Sequence, residues 1–573
     1  AHVAHSKALT KKQKTYWINR QADKFINWLK DTLYGPYLKF FLKYKFLGLA
    51  IPVMLLIITI GAIGGGIIRV TFFPSIASDR VSITLRMPQG TNEMITDSLA
   101  TRIEDAAWMV NEDFKKRQTD NLDVVDNVIK RIGPGTANAT VTVNLLPGEK
   151  RDFPSYIIST AINDKVGALY GVETLEFGSG SSFGGKPVSV SLMSNNIDEL
   201  KGAKEMLKEK FRQNPLLKDI ADNDPAGIKE IEITLKESAY ALGFTLNDVI
   251  GQVRSGFFGF QAQRFQRRRD EIRVWVRYDR DARSSIKNLD DMRIVSSTGQ
   301  RVPLSEIAEY EIARGEISIN HLDGRREINV NADLKDPRNS SATDIMAEVK
   351  EDIMPEIQAQ YPTVTAGFEG QNREAERTGS SAAKVLPVIL FLMFMIIAFT
   401  FRSISQPLLL LLMVPFSLIG VAWGHWLHNY PLNMSSFLGI IALIGIVVND
   451  GLVLIEKFNG FLREGLPFDE AIIAAGKSRF RAIFLTSLTT IAGLSPLLLE
   501  KSRQAQFLIP MAISIAYGIG LATLLTLLML PLLLAIGNSV KMYYTWLIKG
   551  IKPRREELER AIKDQNIESY DTV

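Results

Sequence analysis

The sequence predicts a polytopic α-helical membrane protein, with six transmembrane helices arranged one then five and a large extramembrane α+β block after the first. Three observations carry this. Long runs carry no charge at all, although charged residues make up 23% of the 573-residue chain and mean hydropathy is +0.06. One polar block alternates strand and helix patterns. Lysine and arginine gather beside some of the apolar runs and avoid others.

A helix needs about 20 apolar residues to cross a bilayer. Residues 46–68 meet this without a charge, and 385–401, 407–427, 434–456, 482–499 and 507–537 follow the polar block. Pro387, Pro407, Pro415, Pro496, Pro510 and Pro531 fall in or at the ends of these runs, where neighbouring helices can satisfy freed carbonyls. The segment before the first run holds ten Lys/Arg against two acids, the 457–481 connector five, and the tail beyond 537 seven. Residues 428–433 have none and 500–506 have two. The positive-inside rule then puts both termini in the cytoplasm and the block 70–383 outside. Within 15–45, Trp17, Phe25, Trp28, Leu29 and Leu33 recur at roughly helical spacing among basic residues, as in a helix lying in the membrane interface. The connector 460–481 reads as a short helix.

In the polar block, VSITLRM (81–87) precedes a helical pattern over about 92–115, and ATVTVNLL (139–146) one over about 153–167. PVSVSLM (187–193) precedes 197–213, and EINVNADL (327–334) precedes 341–358. Units of this size imply sandwiches of the split βαβ, ferredoxin-like kind. GSGSSFGGKP (178–187) reads as a flexible hinge between the pairs; no Lys-Ser/Thr follows, so it is not a phosphate loop. An insertion over 230–318 opens with a strong helix over 236–259 and contains Arg267, Arg268 and Arg269 beside Asp270 and Glu271, a solvated hairpin tip or subunit contact.

The net charge of +5 is too small to imply nucleic acid, and the absence of cysteine excludes disulfides, thiolate metal sites and Cys nucleophiles. The residue that points to function is Asp450, the one acid deep in an apolar run, FLGIIALIGIVVNDGLVLIEKF (437–458). An intramembrane carboxylate costs roughly 2.5–3.5 kcal/mol on insertion scales and by default marks an ion or proton pathway. Thr486, Ser487, Thr489 and Thr490 lie in the next run, with Thr486 and Thr490 on one helix face. Their hydroxyls can meet Asp450 or bond their own helix carbonyls. Gly445, Gly451 and Gly493 are positions for close helix approach, and Glu456 and Lys457 read as interfacial.

Phrases along the whole chain resemble the resistance–nodulation–division (RND) efflux transporters, specifically their second half and the multidrug branch. They include FFPSIASDRVSITLRMPQGT (72–91), ALGFTLNDV (241–249), TGQRVPLSEIA (298–308), NHLDGRREINVNADL (320–334), GFEGQNREAE (367–376), GIVVNDGLVLIEKFNGFLREG (445–465) and FRAIFLTSLTTIAGLSPL (480–497). The resemblance implies a division into 1–45, an interfacial cytoplasmic helix, and 46–70, the first span. Residues 71–185 would be one periplasmic pore subdomain, and 186–229 with 319–370 the second. Residues 230–318 would be a docking-type subdomain, 384–540 five spans and 541–573 a cytoplasmic tail. Residues 1–9 look like the tail of a preceding span, so the chain reads as one half of a longer pump.

The resemblance further implies proton-coupled export of amphiphilic small molecules from the inner membrane of a Gram-negative cell, without a cofactor. Its implied partners are the N-terminal half of the same pump, two further copies in a homotrimer, a periplasmic adaptor protein and an outer-membrane channel. The proton-coupling residues are then Asp450 and Asn449, with Thr486 and Thr490. Better-known members carry Asp-Asp in the fourth span and Lys-Asn in the tenth; Asn449 stands in the place of that lysine. A metal-exporting branch and an accessory or scaffold role in envelope protein export remain alternatives. Met193, Met206, Met292, Met346 and Met354 form no cluster in sequence, and His321 is a lone histidine. An intramembrane aspartyl enzyme would need a second deep carboxylate.

Overall fold

The computed structural model describes residues 17–73, 76–181, 185–337, 339–550, 553–563 and 565; residues 1–9, read as the tail of a preceding span, lie outside them. Among the described residues, six helices are long and apolar enough to cross a membrane. Span one is Lys45–Gly64, span two Gln371–Phe401, span three Ser405–His428, span four Met434–Arg463, span five Phe468–Leu498 and span six Arg503–Lys549. The helices run past the apolar stretches that announce them. Span two begins in the polar segment at Gln371. Span five absorbs the connector that reads as a separate short helix. Span six is the hub: 72% of its apolar window is buried, against 6% for span two and 11% for span one.

The amphipathic segment forms helices Trp17–Trp28 and Gly35–Lys43, joined by a π-helical stretch, Leu29–Tyr34. Phe25, Trp28 and Leu33 point outward, while Ile26, Tyr34 and Leu38 are buried against the spans. Asp23 pairs with Arg481 at 2.8 Å and Asp31 with Lys477 at 3.0 Å, and the Tyr34 hydroxyl donates to the Leu527 carbonyl at 3.0 Å. The segment is therefore fastened to spans five and six, with Phe25, Trp28 and Leu33 left exposed on its outer side.

The first extramembrane unit contains strands β1 (Ile76–Arg86), β2 (Val125–Ile132), β3 (Asn138–Leu145) and β4 (Thr174–Ser181), in sheet order β2-β3-β1-β4. All neighbouring pairs are antiparallel. Helices Glu93–Lys115 and Ser155–Val166 complete a β-α-β-β-α-β chain order, which is the split βαβ arrangement. Alternation puts Val81, Ile83 and Leu85 of β1 on one face, where Ile103, Ala107, Ile158 and Ile162 of the helices close over them. Part of the expected hinge is strand instead. Gly178 pairs with Ser82, Gly180 with Ala77 and Ser181 with Ile76, because a small side chain is tolerated at a sheet edge; residues 182–184 lie outside the described ones.

The second unit starts with β5 (Val188–Ser194), helix Ile197–Gln213 and β6 (Leu217–Asp222). The chain then leaves through β7 (Ala226–Leu235), forms hairpins β8 (Phe260–Arg267) with β9 (Asp270–Val276) and β10 (Arg293–Val295) with β11 (Arg301–Pro303), and returns through β12 (Ala308–Glu316). Short β13 (Asn320–Leu322) leads into β14 (Arg325–Leu334), and β15 (Thr365–Phe368) closes the unit. β6 and β5 flank β14, and β15 joins β5, so the second sheet repeats the order of the first with the insertion between its second and third strands. The single helix expected over 236–259 is two, Glu237–Ala241 and Leu246–Phe257. Gly243 at φ +76° breaks it, Phe244 plugs the small core, and Thr245 caps the second helix by accepting from the Asp248 N–H. Arg268 and Arg269 form the turn of the β8–β9 hairpin, between paired Arg267 and Asp270, with both faces exposed.

Candidate proton-coupling site in the spans

Span four begins with a capping box. Asn433 accepts from the Ser436 N–H, and Ser436 accepts from the Asn433 N–H, so two of the donors at the buried helix start are satisfied reciprocally. From there its 3.6-residue period separates two faces. Leu443, Val447, Gly451, Leu454, Ile455 and Phe458 are buried against spans three and six. Leu438, Ile441, Ala442, Gly445, Asn449 and Glu456 are exposed on the other side. Asp450 sits at the border of the two faces, half-buried.

None of the described residues hydrogen-bonds or ion-pairs with the Asp450 carboxylate. Thr486 and Thr490 do not reach it. The Thr486 hydroxyl donates to the Ala482 and Ile483 carbonyls at 2.8 and 2.9 Å, and Thr490 donates to the Thr486 carbonyl at 2.8 Å. Thr489 also bonds within its own helix. A hydroxyl in an apolar helix has a carbonyl one turn back always within reach, and here that local partner wins. Ser487 does the same, donating to the Ile483 carbonyl at 2.9 Å, but it is buried and also meets Thr523 of span six at 2.5 Å.

Below Asp450 the span borders a cavity of about 550 Å³, lined by Arg402, Leu452, Val453, Glu456, Asn459 and Arg463 among others. Val453 lies one turn from both Asn449 and Asp450, so the polar opening comes within a helical turn of the carboxylate. Glu456 lines this opening, and no described residue pairs with it.

Several other polar groups in the spans bond one another across helices and were not read from the sequence. Gln406 and Asn459 exchange two amide hydrogen bonds, at 2.9 and 3.1 Å, tying span three to span four. His425 meets Ser514 at 3.0 Å, His428 meets Tyr517 at 2.9 Å, and the Trp423 indole donates to Thr59 at 3.0 Å. Of the three glycines read as packing positions, only Gly451 meets a neighbour. A Cβ there would lie 3.0 Å from Leu410, whereas Gly445 and Gly493 face open space. The close approach is made elsewhere, by Gly420 against the Tyr517 carbonyl. His321 is exposed on β13.

Residues 4–537 match the model of the AcrB/AcrD/AcrF family, and the chain belongs to this family of RND efflux transporters. It is 24% identical over 380 residues to the multidrug resistance protein MdtC of Erwinia amylovora, an alignment covering 66% of this chain and 36% of MdtC. Two crystal forms of a heavy metal efflux pump share its fold, with TM-scores of 0.75 and 0.73 at 20% identity. Each covers 89% of this chain, which in turn covers 53% and 52% of the pump. The chain thus spans about half, or less, of the length of these relatives.

Proposed function

We propose that this chain forms part of a proton-driven exporter of amphiphilic small molecules in the inner membrane, with Asp450 binding the coupling proton. The observation that carries the reading is the placement of Asp450: inside a span, without a partner among the described residues, beside the uncovered Asn449 and one turn above a polar opening. A carboxylate in that setting is expensive when charged, so taking up a proton changes which helix arrangement is favoured. The exposed stripe from Leu438 to Glu456 is then the surface on which a complementary half of the pump would lie, completing the site that Asn449 and Asp450 begin. The cavity lined by Glu456, Arg402 and Arg463 would give water access on the cytoplasmic side.

The basic segments around the interfacial helix, the 457–481 connector and the tail support a topology with both ends of the chain in the cytoplasm and the two sheets and their insertion in the periplasm. The insertion would face an outer-membrane channel and an adaptor, with two further copies completing a trimer. Amphiphiles are favoured as cargo by the relationship to a multidrug resistance protein. The shared fold with a heavy metal pump supports metal ions as a second reading.

The experiment is Asp450→Asn in the complete pump, with sensitivity to a panel of dyes, detergents and soft metal salts measured beside protein level. Loss of efflux at unchanged abundance is expected. Normal efflux by the variant overturns the role of Asp450, and protection against metals alone overturns the amphiphile reading.

A further inference from the structure

The two extramembrane sheets meet edge to edge, β4 of the first against β6 of the second, and the meeting point is charged. Residue Asp219 of β6 has φ +52°, where the ladder to β14 slips between Asn331 and Asp333. The bulge turns two consecutive side chains inward: Lys218 is 6% exposed and Asp219 3%. The Lys218 ammonium donates to the Phe177 carbonyl of β4 at 3.4 Å and lies 3.8 Å from Asp219 Oδ2. The Phe177 backbone also hydrogen-bonds the Asp219 carboxylate, yet Oδ2 itself is buried with no hydrogen-bond partner. Lys186, in the segment joining the two units, bridges Asp333 of β14 at 2.6 Å and Glu176 of β4 at 3.1 Å.

The groups facing Asp219 are thus Lys218 on its own strand, Asp333 on β14 and Lys186 on the joining segment, and Lys186 ties Glu176 of β4 into the same cluster. Two ammonium groups stand against three carboxyls, one carboxylate more than the cations can balance. A buried charge without full pairing is costly, and taking up one proton removes the imbalance. We propose that Asp219 is a proton-binding site outside the membrane, whose occupancy sets how firmly the two subdomains close on each other.

Burial pushes the Asp219 carboxyl up to about 6, with Asp333 adding to the shift and Lys218, the Phe177 backbone and Lys186 opposing it. Burial disfavours the Lys186 ammonium, but Asp333 and Glu176 outweigh it and hold the group above the usual lysine range. Lys186 therefore stays charged throughout, and Asp219 is the group that titrates. A folded-state carboxyl raised above its hydrated value of 3.8 favours closure fully below that value. The gain is lost as pH rises through about 6. An opened junction would hydrate and ionise Asp219, so neutral pH favours opening and acid favours closure. This site is separate from Asp450 and does not depend on the transported substrate.

The chain has no cysteine, so a labelled pair can be introduced without background. Spin labels at Tyr170→Cys and Gln213→Cys, both exposed and one in each subdomain, would report the junction in the full chain in lipid nanodiscs. The open-to-closed ratio is expected to rise roughly ten-fold from pH 5 to pH 8. Asp219→Asn keeps a residue that tolerates the left-handed backbone and mimics the protonated form. It should stay closed at both pH values. Asp333→Asn removes the surplus negative charge and should move the midpoint to lower pH. A ratio that does not change with pH in the native sequence, a pH response that survives in Asp219→Asn, or an unmoved midpoint in Asp333→Asn would each overturn the proposal.

Discussion

The Gln406–Asn459 pair allows a quantitative test of how this membrane bundle is held together. Two reciprocal amide hydrogen bonds join spans three and four. A net hydrogen bond contributes about 1 kcal/mol, and interhelical bonds measured in membranes average about 0.6 and reach about 1.7. Two bonds therefore predict a coupling energy of about 1–2 kcal/mol. The single substitutions should be unequal. Gln406 is 1% exposed, so Asn459→Leu strands a fully buried amide and should cost about 2–3 kcal/mol. Asn459 lines the cavity beside Glu456, where water can replace its lost partner, so Gln406→Met should cost only about 1 kcal/mol. The double variant should cost about 2 kcal/mol, clearly less than the roughly 3–4 kcal/mol sum of the single costs. The assay is reversible unfolding in mixed detergent micelles, followed by tryptophan fluorescence and closed as a double-mutant cycle. Additive single costs would refute the claim that these amides serve each other, and equal single costs would refute the role given to the cavity.

Three further outcomes follow from the same geometry. Gly420→Ala puts a methyl group into the Tyr517 carbonyl and should separate spans three and six, costing about 1–3 kcal/mol and lowering the melting temperature in detergent. Asn433→Ala removes the cap that opens span four and should cost about 1 kcal/mol, while Asn433→Asp retains the acceptor and most of the stability in the same melt. Thr486→Val and Thr490→Val remove hydroxyls that bond only their own helix, so each should leave export activity near the native level; a loss as severe as that of Asp450→Asn would show that they reach the site in another conformation.

The spans were legible because an uncharged run of about twenty residues has few other meanings. The helices over 93–115 and 197–213 were legible too, because apolar residues recur in them at helical spacing, and the structure adds Asn92 and Asn196 as their caps. Strands β2 and β4, each of which follows a helix of the first unit, were not read. In β2 (VDNVIKRI) half of the residues are exposed and only Val125 is buried, and β4 runs into glycines, so neither shows a clear apolar face. Asp450 stood out because its charge is unusual in its surroundings. The Gln406–Asn459 pair did not, since a neutral amide hardly disturbs an apolar run and its partner is 53 residues away. The packing glycines were misjudged for a related reason. Which face a span turns inward depends on span six, the partner that buries Gly420 while leaving Gly445 open.

The antiparallel pairing of β7 with β12 sets Ala226 directly opposite Glu316, where the chain leaves and re-enters the second unit. Everything between those two residues hangs from a single two-stranded stem, with its own small core around Phe244, Val249 and Ile294. Such a stem makes the insertion an exchangeable cassette. A tight turn joining Ala226 to Glu316 would close the sheet beneath it, and a different head could be grafted onto the same two strands without disturbing the register of β5, β6 and β14.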